Sequence, residues 1–170
     1  MPRTFKARPT TDFAKENIFN VLNGYIDFEG TTALDLFSGT GSISLELVSR
    51  GCQQVISVEA DSDHHAFIKQ CVAKLGAGNC VTIRGDVFRF IKGCKQQFDF
   101  IFADPPYALP ELPTLPELVF KAGMLKPGGV FVFEHGKKND FSQHPNFVEH
   151  REYGSVNFSI FREADKEADD

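Results

Sequence analysis

The chain has 170 residues, 42% of them apolar and 24% charged, with a net charge of -5. That length suits a single domain able to bury a real core, and the composition is that of an ordinary globular protein. No apolar run approaches the roughly 20 residues needed to cross a bilayer, and the negative charge argues against a protein that coats nucleic acid without selectivity.

The opening MPRTFKARPTTD is basic but lacks the apolar stretch of a secretory signal. Arg3, Lys6 and Arg8 crowd residues 1–10 with no acid among them, a segment able to touch phosphates locally. Cys52, Cys71, Cys80 and Cys94 show no CxxC spacing and no histidine at zinc-like intervals, so free thiols in a reducing cytoplasm are expected, and no metal. After Phe161 the chain reads READKEADD, so residues 1–162 are expected to form the domain and 163–170 an acidic, disordered tail.

In chain order, Thr11 to Asn23 reads as a helix opened by Thr-Thr-Asp. TTALDLF (31–37) is a first strand, SGTG a turn, and ISLELVSRG a helix closed by Gly51. QVISVEA (54–60) is a second strand, followed by a helix capped by Asp61 and stopped at Gly76. NCVTIRG (79–85) is a third strand, and Asp86 to Lys92 a short helix. FDFIFAD (98–104) is a fourth strand, apolar on both faces except for Asp99. Leu115 to Met124 is a helix, KPGGVFVFEHG carries the fifth strand, and FVEHREYG with SVNFSIFRE forms a closing antiparallel hairpin. Strands alternating with helices imply an α/β fold with a mostly parallel sheet covered on both faces.

In such sheets ligands bind beyond the carboxyl ends of the strands. The residues there carry chemistry: Asp35 to Gly41, Glu59, Asp86, and Asp104 to Tyr107. Gly39 and Gly41 at the first strand-to-helix turn let a ligand approach the main chain. A dinucleotide fingerprint wants a third glycine near position 44, where Ser44 stands. Glu59, 20 residues after Gly39, can accept from ribose hydroxyls. Together these point to an adenosine ligand rather than to a nicotinamide dinucleotide. Asp86 can accept from an adenine amino group or simply cap the next helix.

FADPPY (102–107) ends the fourth strand on a carboxylate, two prolines and an aromatic ring. Proline cannot donate to a sheet ladder, so Pro105 and Pro106 stop the strand and stiffen the loop that holds Asp104. A stiff mount suits a catalytic group, since misplacement by about 1 Å costs on the order of 100-fold in rate. The carboxylate and the nearby carbonyls are acceptors only, matched to a substrate offering N–H donors. Tyr107 supplies a flat ring, and base–aromatic stacking is worth roughly 1–3 kcal/mol. The set describes a socket for the exocyclic amino group of a base.

DLFSGTG with DPPY resembles the class I S-adenosylmethionine-dependent amino-methyltransferases. RPTTDFAKENIFNVL followed by LDLFSGTGSISLELVSRG is similar, more narrowly, to the bacterial 16S rRNA guanine-N2 methyltransferases of the RsmD type. The likeness runs from about Arg8 to Phe161. It implies a Rossmann-like, mostly parallel seven-stranded sheet with helices on both faces and an antiparallel C-terminal hairpin. It implies S-adenosylmethionine as cofactor, with Asp35, Phe37, Gly39 and Gly41 around its methionine part, Glu59 at its ribose, and Asp86 with Val87 at its adenine. Asp104, Pro105, Pro106 and Tyr107 would hold the target guanine, and Arg8 and Thr10 would lie near the cofactor or the RNA. The implied partner is 16S rRNA or an assembling small subunit, met in the cytoplasm by a monomer. Members of the family usually carry a basic, strand-like segment before the RPTTD stretch. This chain starts a few residues ahead of that stretch: either the start is trimmed or this member is short, a departure that bears on RNA affinity and not on cofactor binding. Two other readings stand beside this one: an amino-methyltransferase acting on DNA adenine or cytosine or on protein glutamine, and a non-catalytic RNA-binding assembly factor.

Elsewhere expectations are plainer. ALPELPTLPEL (108–118) shapes an RNA rim or is a simple connection. His64 and His65 are expected on a solvated helix face far from the strand ends. His135, beside Lys137 and Lys138, is expected in a polar loop or at a phosphate.

Overall fold

The computed structural model describes residues 11–165. Arg8 and Thr10, the rest of the basic segment, and the tail from residue 166 lie outside them. Among the described residues a seven-stranded sheet runs in the order β3-β2-β1-β4-β5-β7-β6. The strands are β1 Thr32–Leu36, β2 Gln54–Glu59, β3 Cys80–Arg84, β4 Phe98–Ala103, β5 Leu125–His135, β6 Phe147–Tyr153 and β7 Val156–Arg162. The first five pair in parallel, and β7 returns antiparallel between β5 and β6. The helices are α1 Asp12–Leu22, α2 Ser42–Ser49, α3 Ser62–Leu75, α4 Val87–Gly93 and α5 Leu115–Lys121.

The central strands are apolar on both faces because both faces are covered. Phe100 and Phe102 of β4 pack with Ile18, Phe19 and Leu22 of α1 and Leu47 of α2. Ile101 and Ala103, which point the other way, pack with Ile91 of α4 and Leu115 and Val119 of α5. Much of the phenylalanine complement goes into these two layers. Asp99, the polar exception in β4, accepts from the Thr32 N–H at 2.9 Å and from Lys126 Nζ at 3.2 Å. The edge strand β6 carries Glu149, His150, Arg151 and Glu152 in succession, a charged border of the kind that discourages pairing with another sheet.

Element types follow the sequence pattern, with shifts at ends. β1 stops at Leu36 because Phe37 takes φ +59°, turning the chain out of the sheet so that the Ser38 N–H reaches Val58 O. α5 stops at Lys121 rather than Met124: Gly123 adopts φ +65°, and Met124 is drawn into the core beside Phe98. The proline-rich stretch after β4 forms a 3-10 turn at Leu112–Thr114 that runs into α5 and buries Leu112 and Leu115, so its middle is tied to the core. Glu163 and Ala164 continue the pairing beyond β7 through Gly129 O and the Gly128 N–H.

Candidate active site at the carboxyl edge of the sheet

The order of the strands reverses direction between β1 and β4, and at that switch point a cleft of about 850 Å³ opens. Asp35, Gly39, Glu59, Asp86, Asp104 and Tyr107 line it together, although they come from separate strand ends. Phe37, Val87, Pro105 and Pro106 also face it. Gly41 does not; it stands behind the turn as the left-handed cap of α2.

The glycine turn is built from its neighbours. Gly39 has φ +58°, and a Cβ placed on it would meet no atom within 4 Å, so the main chain borders open space. Gly41 has φ +84°, and its Cβ would lie 3.0 Å from Ile68 Cγ1, so α3 closes against the turn where a side chain would otherwise stand. The Gly39 N–H donates to Glu59 Oε1 at 2.7 Å, and the Asp61 N–H donates to Oε2 at 2.9 Å. These two bonds pin the Glu59 carboxylate in place.

Asp35 is buried at the floor, and burial, with repulsion from Glu59, pushes its carboxyl up to about 7 despite a hydrogen bond from Ser44 Oγ that pulls the other way. Ser44 in turn lies 3.0 Å from Ser57 Oγ, and Ser57 lies 2.6 Å from Ser38 Oγ. Asp86 caps α4 by accepting from the Arg89 N–H at 3.0 Å, and it faces the cleft as well. Beyond it a smaller hollow of about 510 Å³ is bordered by Ile83, Gly85, Arg89 and Phe90.

On the opposite side, the Asp104 N–H donates to Leu36 O at 3.3 Å, tying the mount of Asp104 to β1. Pro105 is buried while Pro106 and Tyr107 are exposed, and the Leu109 N–H closes a turn onto Pro106 O. The Tyr107 hydroxyl donates to Glu134 Oε2 at 3.2 Å.

Two placements differ from expectation. His64 is buried, 4% exposed, with Nδ1 at 3.7 Å from Glu59 Oε2, because the first turn of α3 folds back over the end of β2. It lines the cleft rather than facing solvent. His65 is half-buried. His135 belongs to β5, not to a loop; it is buried and shares a 2.7 Å hydrogen bond between Nε2 and Ser159 Oγ. Desolvation holds it below the usual histidine range, which suits a neutral core partner better than a phosphate ligand. Glu134, also in the cleft, was not among the expected residues. An acid in the apolar run FVFEHG at a strand's carboxyl end was the available signal.

The fit to S-adenosylmethionine can be tested on these atoms. Gly39 leaves room where a side chain would stand, and Asp35, Glu59 and Asp86 present acceptors to a ligand with an ammonium, ribose hydroxyls and an adenine amino group. The volume lies within the range of small-molecule sites, about 300–1,000 Å³. The residues present fit the group. Among the described residues no group of His, Cys, Asp and Glu is arranged to hold a metal ion, and no helix is long and apolar enough to cross a membrane.

A doubly wound sheet of this order, with a glycine turn after β1, an acid ending β2 and Asp-Pro-Pro-Tyr after β4, is that of the Rossmann-like class I methyltransferases. A solved hypothetical protein from Thermus thermophilus superposes with a TM-score of 0.82 at 27% identity, over 94% of this chain and 90% of that one. The family described as Conserved hypothetical protein 95 matches residues 1–162, and the chain belongs to it. This is the RsmD-type family that the motifs resemble. Its relatives include YlbH of Bacillus subtilis, named as an rRNA methyltransferase, 35% identical over 77% of this chain and 72% of the relative. They also include the ribosomal RNA small subunit methyltransferase D of Escherichia coli K12, 30% identical over 95% of this chain and 83% of the relative.

Proposed function

We propose that this chain is an rRNA methyltransferase that uses S-adenosylmethionine to methylate the exocyclic N2 of a guanine in 16S rRNA. The observation that carries the reading is the placement of Asp104. It stands on a proline-stiffened loop in the same cleft as the glycine turn, so a base amine held by its carboxylate faces a ligand held by Gly39 and Glu59. The relatives named as rRNA methyltransferases point to the same substrate class.

When bound, S-adenosylmethionine supplies a methyl group on a positively charged sulfur. Asp35, Glu59 and Asp86 would hold its ammonium, ribose and adenine. The target guanine leaves its stack at a cost of a few kcal/mol, and Tyr107 offers a ring to receive it. The N2 lone pair is delocalised into the base and is a weak nucleophile. Asp104 and the Pro105 carbonyl accept its two N–H bonds, draw the nitrogen toward a tetrahedral shape and localise the lone pair. As nitrogen gains positive charge, the acceptors around it stabilise that charge. Asp104 or a water then takes the proton. Orientation and electrostatics supply most of the acceleration.

The reading places the protein in the cytoplasm, acting as a monomer on rRNA or an assembling small subunit. RNA affinity is expected to fall as salt rises. The test is methyl transfer to undermodified small subunits, naked rRNA and DNA, with the modified nucleotide mapped. Methyl on a guanine N2 of 16S rRNA is the expected result. Transfer to DNA alone, or RNA binding without transfer, overturns the proposal.

A further inference from the structure

We propose that Glu134 is the residue that selects guanine, by accepting the N1–H of the target base while its N2 amine lies at Asp104. The inference rests on the reading of this cleft as a guanine-N2 methyltransferase site.

β4 lies between β1 and β5. Asp104, which ends β4, therefore has the glycine turn of β1 on one side and the end of β5 on the other. Ala103 pairs with Phe133, so Asp104 and Glu134 follow side by side at the sheet's edge. A base whose amine sits at Asp104 and faces the turn after β1 extends the rest of its pairing edge toward β5. The acid waiting there is Glu134, 3% exposed and lining the same cleft.

Of the other acids of the cleft, Asp35, Glu59 and Asp86 follow the strands on the cofactor side, and Asp61 caps α3. Glu59 holds the Gly39 and Asp61 N–H groups, Asp35 receives Ser44 Oγ, and Asp86 caps α4. The Glu134 carboxylate is steadied by the Tyr107 hydroxyl, whose ring is offered to the base. A carboxylate has about four acceptor positions, so it can take an N1–H beside the partners it already has.

The chemistry then discriminates. Guanine carries two neighbouring donors on this edge, N1–H and the N2 amine. An adenine N1, or that of 2-aminopurine, is a bare acceptor. Facing a carboxylate, it sets lone pair against lone pair in a buried place and forgoes the N–H bond that guanine would give. Sites built to hydrogen-bond a substrate N–H reject analogues lacking it by large factors, on the order of 10⁴.

2-Aminopurine keeps the 2-amino group and lacks the N1 proton together with the 6-oxo oxygen, so a change in preference on substituting Glu134 is what separates the N1 contact from the oxygen. The experiment uses small subunits reconstituted with 16S rRNA bearing guanine or 2-aminopurine at the mapped position, and compares kcat/KM. The wild-type protein is expected to favour guanine by roughly 100-fold or more. Glu134→Gln replaces one acceptor with an amide donor that can serve a bare N1. It is expected to lose at least about 10-fold on guanine and gain on 2-aminopurine, so that the preference collapses. Binding of S-adenosylhomocysteine by calorimetry shows that the variant is folded. A merely structural Glu134 would slow both substrates alike and leave the ratio where it was; that result overturns the inference. Equal rates of the wild-type protein on the two bases overturn it without any variant. If the wild-type protein methylates no guanine at all, it is the proposed function that fails.

Discussion

Ser44 Oγ donates to Asp35 Oδ2 at 2.7 Å, both side chains being buried beneath the glycine turn. The hydroxyl occupies the place where a dinucleotide-binding turn carries its third glycine. It is the neutral partner of an acid that burial has pushed up to about 7.

That relationship sets a pH dependence. A carboxyl raised from 3.8 to about 7 contributes stability that is fully present below about pH 4 and is lost as pH rises through about 7. A ligand ammonium held against Asp35 needs the ionised form of the acid. Affinity for S-adenosylhomocysteine should therefore rise roughly tenfold per pH unit up to about 7 and then level off. Calorimetry in two buffers should show proton release at about pH 6 and little at about pH 8.5. A flat profile would remove Asp35 from the ammonium site.

Asp104→Ala should lower kcat by a factor on the order of 100 or more while leaving S-adenosylhomocysteine affinity within about twofold. Asp104 follows β4 whereas the glycine turn follows β1, so on the proposed reading its loss removes an acceptor from the base and not from the cofactor. Single-turnover methyl transfer beside ligand titration separates the two; undiminished turnover removes the aspartate from the mechanism.

Gly39→Ala and Gly41→Ala should fail differently. Both residues have positive φ, which costs a side chain about 1–2 kcal/mol. Only at Gly41 does the new Cβ also meet Ile68, at 3.0 Å. Gly41→Ala should lower Tm by about 4–8 °C. Gly39→Ala should melt closer to the wild-type protein yet bind S-adenosylhomocysteine at least about tenfold more weakly, because its Cβ enters the space left for a ligand. Equal binding by the two variants would contradict this division.

One pair of substitutions can part the cap that Asp86 supplies to α4 from the adenine contact proposed for it. Asp86→Ser keeps a side-chain oxygen for the Arg89 N–H and should hold Tm, whereas Asp86→Ala should lose about 1 kcal/mol of capping. If the carboxylate also receives the adenine amine, both variants weaken S-adenosylhomocysteine about equally. Unchanged affinity in Asp86→Ser would leave Asp86 as a cap alone.

Much of this was legible in the linear chain because it follows from local rules. Alternating apolar runs and glycine punctuation marked each strand and helix, and the doubly apolar β4 already announced a sheet buried on both sides. That Gly39, Glu59, Asp86 and Asp104 stand at the sheet's carboxyl edge was visible because each follows the end of a strand. Phe37 was expected at the cofactor, but its left-handed turn was not, since nothing in a phenylalanine advertises positive φ.

Helix and strand identity were written in periodicity and turn chemistry, which act over a few residues. Which acids share a cleft was written nowhere in the order of residues. His64 is buried against Glu59 because α3 folds back over the end of β2. Glu134 came to stand beside Asp104 through the pairing of β5 with β4. Contacts of that kind depend on strand order and register, and those are settled when distant apolar faces meet and exclude water.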